Sequence, residues 1–305
     1  MKTFLILGLL LTAVVADVSF LTFKSKACEN LGLTYKNEIF KNNEATYLPN
    51  IGVMIVNLDS YTLINTLLSN KSEFHECVKN ISKNDVVKLD DPIVDQTPNE
   101  SREQWQLKRI NVRELPLPDT FHRFEVTDVP SHVYIIDTGI DKHHPDLQAR
   151  LAPSGEHKTF TDDYCVCKSE GPLCDCAGHG THCAGLVASP KAGYNLHTTL
   201  HSAKVFNQSG STTWDVILSA MDWVIEAHKA HPGELGVVSM SLGGGKVDAI
   251  NEAVKKIHEA GMFIAVAAGN ANKDSCTGSP SSAPEAYTVG ASEWDDTRAY
   301  FSEFG

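Results

Sequence analysis

Short apolar segments separated by polar ones fill the first hundred residues, in a pattern typical of a small α/β unit. Val53–Val56 is an uninterrupted apolar run of strand length, and residues 61–68 place apolar side chains at helical spacing. Val86–Leu89 and Ile93–Val94 predict two further strands. Residues 97–103 are polar and contain a proline, which predicts an exposed linker after this unit.

From about residue 130 the pattern changes to apolar strands alternating with amphipathic helices. One helix is predicted around Trp214–Ile225 and another around Val247–Ile257, the second ending at Gly261. This alternation predicts an α/β fold: a parallel sheet with helices on both faces, preceded by a small α/β domain. The predicted strands are His132–Ile136, Ala203–Phe206, Val237–Ser241, Phe263–Ala267 and Tyr287–Gly290.

The amino terminus has the pattern of a secretory signal peptide. Lys2 precedes an apolar run from Phe4 to Leu11 that continues to Ala16, and small residues favour cleavage before Asp17. The run is short for a membrane span, so we expect a secreted protein without a membrane partner. Four Asn-X-Ser sequons agree with secretion and predict a glycoprotein. They begin at Asn70, Asn80, Asn99 and Asn207.

Charge and cysteine content narrow the class further. The chain has a net charge of −12 and no cluster of basic residues that could neutralise phosphates, which argues against a nucleic-acid partner. Eight cysteines in a secreted chain favour disulfides. Four of them form a tight cluster, for which local disulfides are favoured and a zinc site with four thiolates is the alternative. The clustered residues are Cys165, Cys167, Cys174 and Cys176, and the others are Cys28, Cys77, Cys183 and Cys276.

Asp137 directly follows the apolar strand, in the sequence Asp137-Thr138-Gly139. A carboxylate at a buried strand end needs hydrogen-bond partners, and a catalytic histidine would supply one. The same three residues are also the signature of aspartic proteases, which pair two such carboxylates. A structural turn is the third interpretation.

His179 lies in the sequence Gly178-His179-Gly180-Thr181-His182, which opens an apolar helix. Gly180 would let backbone pass close to the imidazole. His179 and His182 could alternatively bind a metal from one helical face, but no carboxylate at helical spacing completes such a site, so no metal ligands are predicted here.

Asn270 follows the predicted strand Phe263–Ala267, within Ala267-Ala268-Gly269-Asn270. An amide presented at a strand end can donate a hydrogen bond to a developing oxyanion. An ordinary Asx turn would have the same local sequence.

An Asp, a His and an Asn in this order, each after a strand, resemble the subtilase family of serine proteases and its proteinase K-like branch. The aspartate motif covers residues 133–140, and the histidine motif covers 178–185 and includes Cys183. Ser239–Gly245 is similar to the substrate-binding segment. The resemblance spans residues 47–305 and is looser before residue 100, where it points to an inhibitory propeptide.

The resemblance implies that Asp137 orients and charge-stabilises His179, the general base and acid, and that Asn270 stabilises the oxyanion. It implies peptide or protein substrates, bound between two backbone edges and a pocket without charge that favours apolar or aromatic side chains. The implied substrate-binding residues are Ser241, Leu242, Gly243, Gly210, Ala267, Ala268 and Gly269. The implied organisation is a signal peptide at 1–16, a propeptide at 17–100 that binds its own enzyme, and a peptidase domain at 101–305, in a monomer.

The family's nucleophile lies in a Gly-Thr-Ser-Met-Ala motif that these 305 residues do not contain. Ser241 and Ser281 match family segments with other roles, so we expect a C-terminally truncated, inactive chain of a protease family. The alternatives are a catalytically inactive peptide-binding protein and a secreted subtilase inhibitor. No cofactor is expected for the chemistry, and a structural calcium site near Pro284 and Ala286 lacks its downstream carboxylate ligand.

Overall fold

The computed structural model describes residues 18–40, 45–69, 74–89, 104–123, 130–161 and 171–305. The helices are α1 Lys26–Ile39, α2 Ser60–Ser69, α3 Phe74–Cys77, α4 Trp105–Arg109, α5 His179–Ala188, α6 Trp214–His228 and α7 Asp248–Glu259. The strands are β1 Ser19–Phe23, β2 Ala45–Leu48, β3 Val53–Val56, β4 Val78–Lys83, β5 Val86–Lys88, β6 Ser131–Asp137, β7 Lys158–Thr159, β8 Thr198–Lys204, β9 Ser211–Thr213, β10 Leu235–Met240, β11 Gly244–Gly245, β12 Phe263–Ala267, β13 Gly278–Ser279 and β14 Tyr287–Val289.

The first unit is a four-stranded antiparallel sheet in the order β2-β3-β1-β4. Apolar residues of β1 and β3 pack with Leu63 of α2 and with Phe74, and a disulfide joins Cys28 to Cys77. The predicted strand at Val53–Val56 and the helix over 61–68 are confirmed. The sequence did not predict β4, because only Val78 and Ile81 are apolar in Val-Lys-Asn-Ile-Ser-Lys and none of its residues is fully buried.

The second unit is built on a six-stranded parallel sheet in the order β14-β12-β10-β6-β8-β7. Alternate residues of β6 face two cores: Tyr134 and Ile136 pack with α6 and α7, whereas Val133 and Ile135 pack with α5. The predicted α/β class, with helices on both faces of a parallel sheet, is confirmed. In the part of the chain that the structure describes, no helix has the length and apolar content needed to cross a membrane.

Among the predicted strands of this sheet, β8 differs most from its predicted bounds. It was predicted at Ala203–Phe206 but runs from Thr198 to Lys204. Several of its residues are polar yet buried, because hydrogen bonds satisfy their side chains. Thr198 Oγ1 donates to the Ser131 carbonyl, and Ser202 Oγ donates to the Pro172 carbonyl. The other predicted strands of this sheet differ from the observed ones by at most two residues at either end, and β12 matches. The predicted strand at Ile93–Val94 and the linker at 97–103 lie outside the described residues.

The first unit docks on α6 through buried polar contacts. The Asp222 carboxylate accepts hydrogen bonds from the backbone N–H groups of Asn50 and Ile51, at 2.7 and 3.2 Å. Asn84 Nδ2 donates to Asp215 Oδ1 at 2.8 Å, near the start of the same helix. Burial raises the pKa of Asp222 despite these hydrogen bonds. The turn between β2 and β3 is therefore fixed to α6 by the Asp222 carboxylate, with Lys229 Nζ, just after the helix, donating to Asn50 Oδ1 at 2.8 Å.

We predict that Asp222→Ala destabilises the chain by about 1–3 kcal/mol, because two backbone N–H groups lose their acceptor in a partly buried contact. Asp222→Asn keeps one acceptor oxygen and should cost less. The measurement is urea unfolding, with Glu293→Gln, an exposed carboxylate outside this contact, as the control for which no change is expected. Equal midpoints for the wild type and Asp222→Ala would contradict this account of the docking.

Candidate functional site

Two side chains meet where β6 ends and α5 begins. Asp137 is the last residue of β6 and only 1% exposed, and His179 is the first residue of α5. Their side chains form a hydrogen bond of 2.7 Å between His179 Nδ1 and Asp137 Oδ1. A carboxylate accepts, so Nδ1 carries a proton, and in the neutral form of the ring Nε2 has the lone pair. Such an imidazole is oriented to accept a proton at Nε2.

Asp175 holds the start of α5 against the loop that follows β6. Its Oδ1 accepts from the Gly178 N–H and from Thr138 Oγ1, both at 2.8 Å. Its Oδ2 accepts from the N–H and the hydroxyl of Thr181, at 2.8 and 2.6 Å. These bonds satisfy otherwise unpaired N–H groups of the first helical turn and place a negative charge at its positive end. The sequence reasoning missed this residue, although an acidic residue just before a predicted helix is a capping signal.

The close packing of α5 on this loop requires glycine at position 180. A Cβ atom there would lie 2.2 Å from the Gly139 carbonyl oxygen and 3.1 Å from Asp137 Cβ. The Gly180 N–H also donates to Thr138 Oγ1 at 2.8 Å. Any larger residue would therefore move the helix that carries His179 away from Asp137.

The hydrogen bond that His179 donates to Asp137 raises the pKa of His179 well above its usual value near 6.5, and Cys183 adds to the effect. Cys183 Sγ lies 4.0 Å from His179 Nδ1. Donor atoms of Asp137, His179 and Cys183 all lie within 4.8 Å of one another, close enough to hold a metal ion. His182 belongs to no such group among the described residues, so the alternative site formed with His179 gains no support.

A cleft of about 290 Å³ opens beside His179. It brings together Asn270 and six of the seven residues that the sequence assigned to substrate binding. The six are Ser241, Leu242, Gly243, Ala267, Ala268 and Gly269. Gly210 does not line this cleft; it lies before β9, where its carbonyl accepts a hydrogen bond from the Leu89 N–H at 2.9 Å.

The cleft carries charge, which corrects the expectation of a pocket without charge. Lys273 and Glu303 line it, and Lys88 does so from the first unit. Glu303 is only 7% exposed and lies against Gly269, where a Cβ atom would be 2.5 Å from the Glu303 carboxyl carbon. The local sequence around Ala267 gives no sign of this carboxylate, because Glu303 reaches the cleft only through the fold.

The end of the first unit enters the same cleft. Strand β5 pairs antiparallel with β9, with Val86 opposite Thr213 and Lys88 opposite Ser211. Leu89 follows and lines the cleft together with His179. An extended segment of the chain therefore lies along the edge that was predicted to bind substrates.

Two of the four clustered cysteines, Cys174 and Cys176, are disulfide-bonded and flank Asp175. Cys165 and Cys167 lie outside the described residues, so the full pairing stays a prediction. Cys183 and Cys276 are free thiols, the first half-buried and the second exposed.

A model of the subtilase family matches residues 131–305, which is more than half of the chain. The chain belongs to the subtilase family. The match covers Asp137, His179 and Asn270. All three candidate site residues therefore lie within the part of this subtilase chain that defines the family.

Named relatives of this subtilase agree. An extracellular serine proteinase of a Thermus species is 36% identical over 201 residues, which cover 66% of this chain and 46% of that protein. A cuticle-degrading protease of Metarhizium anisopliae is 38% identical over 202 residues, covering 66% and 49%. A crystal structure of a cold-adapted subtilisin-like serine proteinase has a TM-score of 0.57 at 32% identity, covering 66% of this chain and 68% of that one. The chain spans about half the length of the curated relatives it matches.

We predict that Gly180→Ala destabilises the protein by about 1–3 kcal/mol, because its Cβ atom would overlap the Gly139 carbonyl. Gly185→Ala on the same helix is the matched control. No atom lies within 4 Å of a Cβ there, so alanine should stabilise the helix by about 0.5–1 kcal/mol. Urea unfolding measures both, and two changes of the same sign would refute the close contact at residue 180.

We also predict that the His179 imidazole of the folded chain titrates above pH 6.5, because the Asp137 carboxylate stabilises its protonated form. Asp137→Asn removes that charge and should move the midpoint down towards 6.5. Histidine NMR signals recorded against pH measure the midpoint without any need for activity. A wild-type midpoint at or below 6.5 would show that the carboxylate does not stabilise the imidazolium.

Proposed function

We propose that this chain is part of a secreted serine endopeptidase in which Asp137 and His179 are two members of a catalytic triad. The observation that carries the proposal is the 2.7 Å hydrogen bond between them, at the mouth of a cleft that Asn270 also lines. Asp137 fixes the tautomer and orientation of the ring and stabilises the imidazolium. His179 Nε2 takes the proton of a serine hydroxyl and later gives it to the leaving amine.

Asn270 completes the site as an oxyanion donor. The attack converts a planar carbonyl into a tetrahedral centre with a negatively charged oxygen, and a preorganised amide N–H stabilises that charge. Removing one such donor lowers kcat by a factor of about 10² to 10³ in enzymes of this chemistry. The position of Asn270 after β12, beside His179 in the cleft, supports this role.

Peptide and protein substrates would bind as an added strand. Ser241, Leu242 and Gly243 offer one backbone edge, and the segment at Gly210 and β9 offers the other. The contact of β5 with β9 supports this binding mode, since an extended segment of the chain already pairs there. By the same contact, residues 17–100 would act as an inhibitory propeptide, with Leu89 in the cleft in place of a substrate side chain.

The nucleophile is the missing member of the site. The 305 residues contain no Gly-Thr-Ser-Met-Ala motif. Ser241 and Ser281 line the cleft, but Ser281 Oγ donates to the Ser275 carbonyl at 2.8 Å, which occupies its hydroxyl proton. We therefore propose that residues 1–305 alone do not hydrolyse peptides, and that the activity needs a serine from further sequence.

The cellular setting follows from the amino terminus. A signal peptide at 1–16 would direct the chain out of the cell, where the Cys28–Cys77 disulfide is stable. One of the relatives is named as extracellular. We propose a monomer whose peptidase domain begins near residue 101.

The test is to express residues 17–305 in a secretory host and to size the product. We predict an intact, inactive chain, because cutting between the propeptide and the peptidase domain would need the same serine. An extension that carries a Gly-Thr-Ser-Met-Ala segment should restore self-processing, and His179→Ala in the extended protein should abolish it. A processed, phosphonate-sensitive product from residues 17–305 would instead identify Ser241 or Ser281 as the nucleophile.

A second candidate is a peptide-binding protein without catalysis. Two observations favour it: β5 pairs with β9, the edge proposed to bind substrates, and these 305 residues lack the serine motif. In that case the extended protein would stay unprocessed, while short apolar peptides would still compete with Leu89 for the cleft.

A further inference from the structure

Three imidazoles converge at the end of the parallel sheet opposite the cleft. His132 lies at the start of β6, His201 lies within β8, and His231 lies in the turn between α6 and β10. Their donor atoms all lie within 4.8 Å of one another. His132 and His201 are 6% and 1% exposed, so two of the three rings belong to the interior. Neither the family match nor the proposed triad gives this cluster a role.

The hydrogen-bond partners assign the tautomers of the two buried rings. His132 Nε2 contacts the Glu234 carboxylate, and His201 Nδ1 lies 3.1 Å from the Glu156 carbonyl oxygen. Both partners are acceptors, so each of these nitrogens carries the ring proton. The remaining nitrogens, His132 Nδ1 and His201 Nε2, are then both lone-pair acceptors.

These two lone-pair nitrogens face each other at 2.8 Å. Two acceptors at that distance repel one another unless a cation lies between them. A shared proton would relieve the repulsion of this pair but would not involve the third imidazole, His231, which contacts the Glu156 and Glu234 carboxylates. A metal ion accepts all three imidazoles at once.

The surroundings have the composition of a metal site. The Glu234 carboxylate on His132 and the Glu156 carbonyl on His201 are the outer partners that orient metal-binding imidazoles and raise their basicity. Glu156 also places Oε2 at 3.2 Å from His231 Nε2, and this buried oxygen makes no hydrogen bond among the described residues. It supplies negative charge beside His231, and it would have to move with that ring to become a fourth donor, because it lies outside the group of converging donor atoms.

Modest movement would complete the geometry. The His231 ring stacks on the His132 ring at 3.8 Å between centroids, so His231 must turn to aim a nitrogen at the ion. It has room to do so, because it lines an open cavity of about 480 Å³. Tetrahedral zinc with bonds of about 2.0–2.1 Å needs ligand nitrogens about 3.4 Å apart, so the facing pair must open by about half an ångström.

We propose that His132, His201 and His231 bind a zinc ion at the amino end of the sheet, with Glu156 as the fourth ligand. Imidazole nitrogens favour zinc among the divalent ions available outside cells, whereas calcium takes oxygen ligands. The ion would join β6, β8 and the turn before β10, and so stabilise the sheet. This inference does not depend on the proposed protease activity.

The test is zinc titration of the untagged, EDTA-treated chain of residues 17–305, followed by calorimetry and by thermal unfolding. We expect one zinc ion per chain and a midpoint of unfolding that rises with zinc concentration. Co²⁺ in place of zinc should give the visible absorption of a tetrahedral site. Calcium at the same concentration should not change the zinc isotherm.

Variants separate this site from surface histidines. His231→Ala, at the exposed side of the cluster, should fold and lose most of the zinc affinity, and Glu234→Gln should lower that affinity about 10- to 100-fold. His228→Asn is the matched control, because His228 lines the same cavity but is not one of the three ligands. Zinc binding that survives His231→Ala, or thermal midpoints that respond to pH but not to zinc, would overturn the proposal.

Discussion

The approach of α5 to the end of β6 is the constraint on which the site depends. A parallel strand delivers Asp137 to the carboxyl edge of the sheet, but its carboxylate becomes useful only when the helix start comes within hydrogen-bond distance. Gly180 permits that approach because it has no Cβ atom, and the four hydrogen bonds accepted by Asp175 hold it in place. Backbone packing thus brings the two side chains within reach of each other, and the 2.7 Å hydrogen bond of His179 to Asp137 depends on it.

Much of this arrangement could be predicted from the sequence because it is encoded locally. The apolar run before Asp137 predicts a buried strand, and the glycines around His179 indicate a close backbone approach. Strand β8 could not be predicted in the same way, since buried threonine and serine resemble surface residues until their hydrogen-bond partners are known. The Glu303 carboxylate in the cleft could not be predicted for the same reason, because it contacts Gly269 only after the chain between them has folded.

The docking of the first unit shows why contacts between distant segments escape sequence reasoning. Asn50 and Asp222 are separated by 172 positions, and neither has a neighbouring residue that indicates a partner. A second contact of the same kind sets where β5 lies. Asn84, two residues before that strand begins, is hydrogen-bonded to Asp215 at the start of α6. The polar contacts on α6 thus place Leu89 in the cleft, and a substrate would have to displace a segment that is anchored elsewhere.

Strand β6 carries chemistry at both ends, and the direction of parallel strands keeps the two sites apart. His132 and Asp137 lie five residues apart, which corresponds to about 16 Å along an extended strand. An ion at the amino end therefore cannot touch a substrate or polarise the His179 ring. It would act on the pairing itself, since β6 and β8 are joined from Ser131 opposite Thr198 to Asp137 opposite Lys204. Linking His132 near the start of β6 to His201 in the middle of β8 raises the free energy needed to separate the two strands. The same two strands hold Asp137 in place, so the added stability also reaches the end of β6 that carries it.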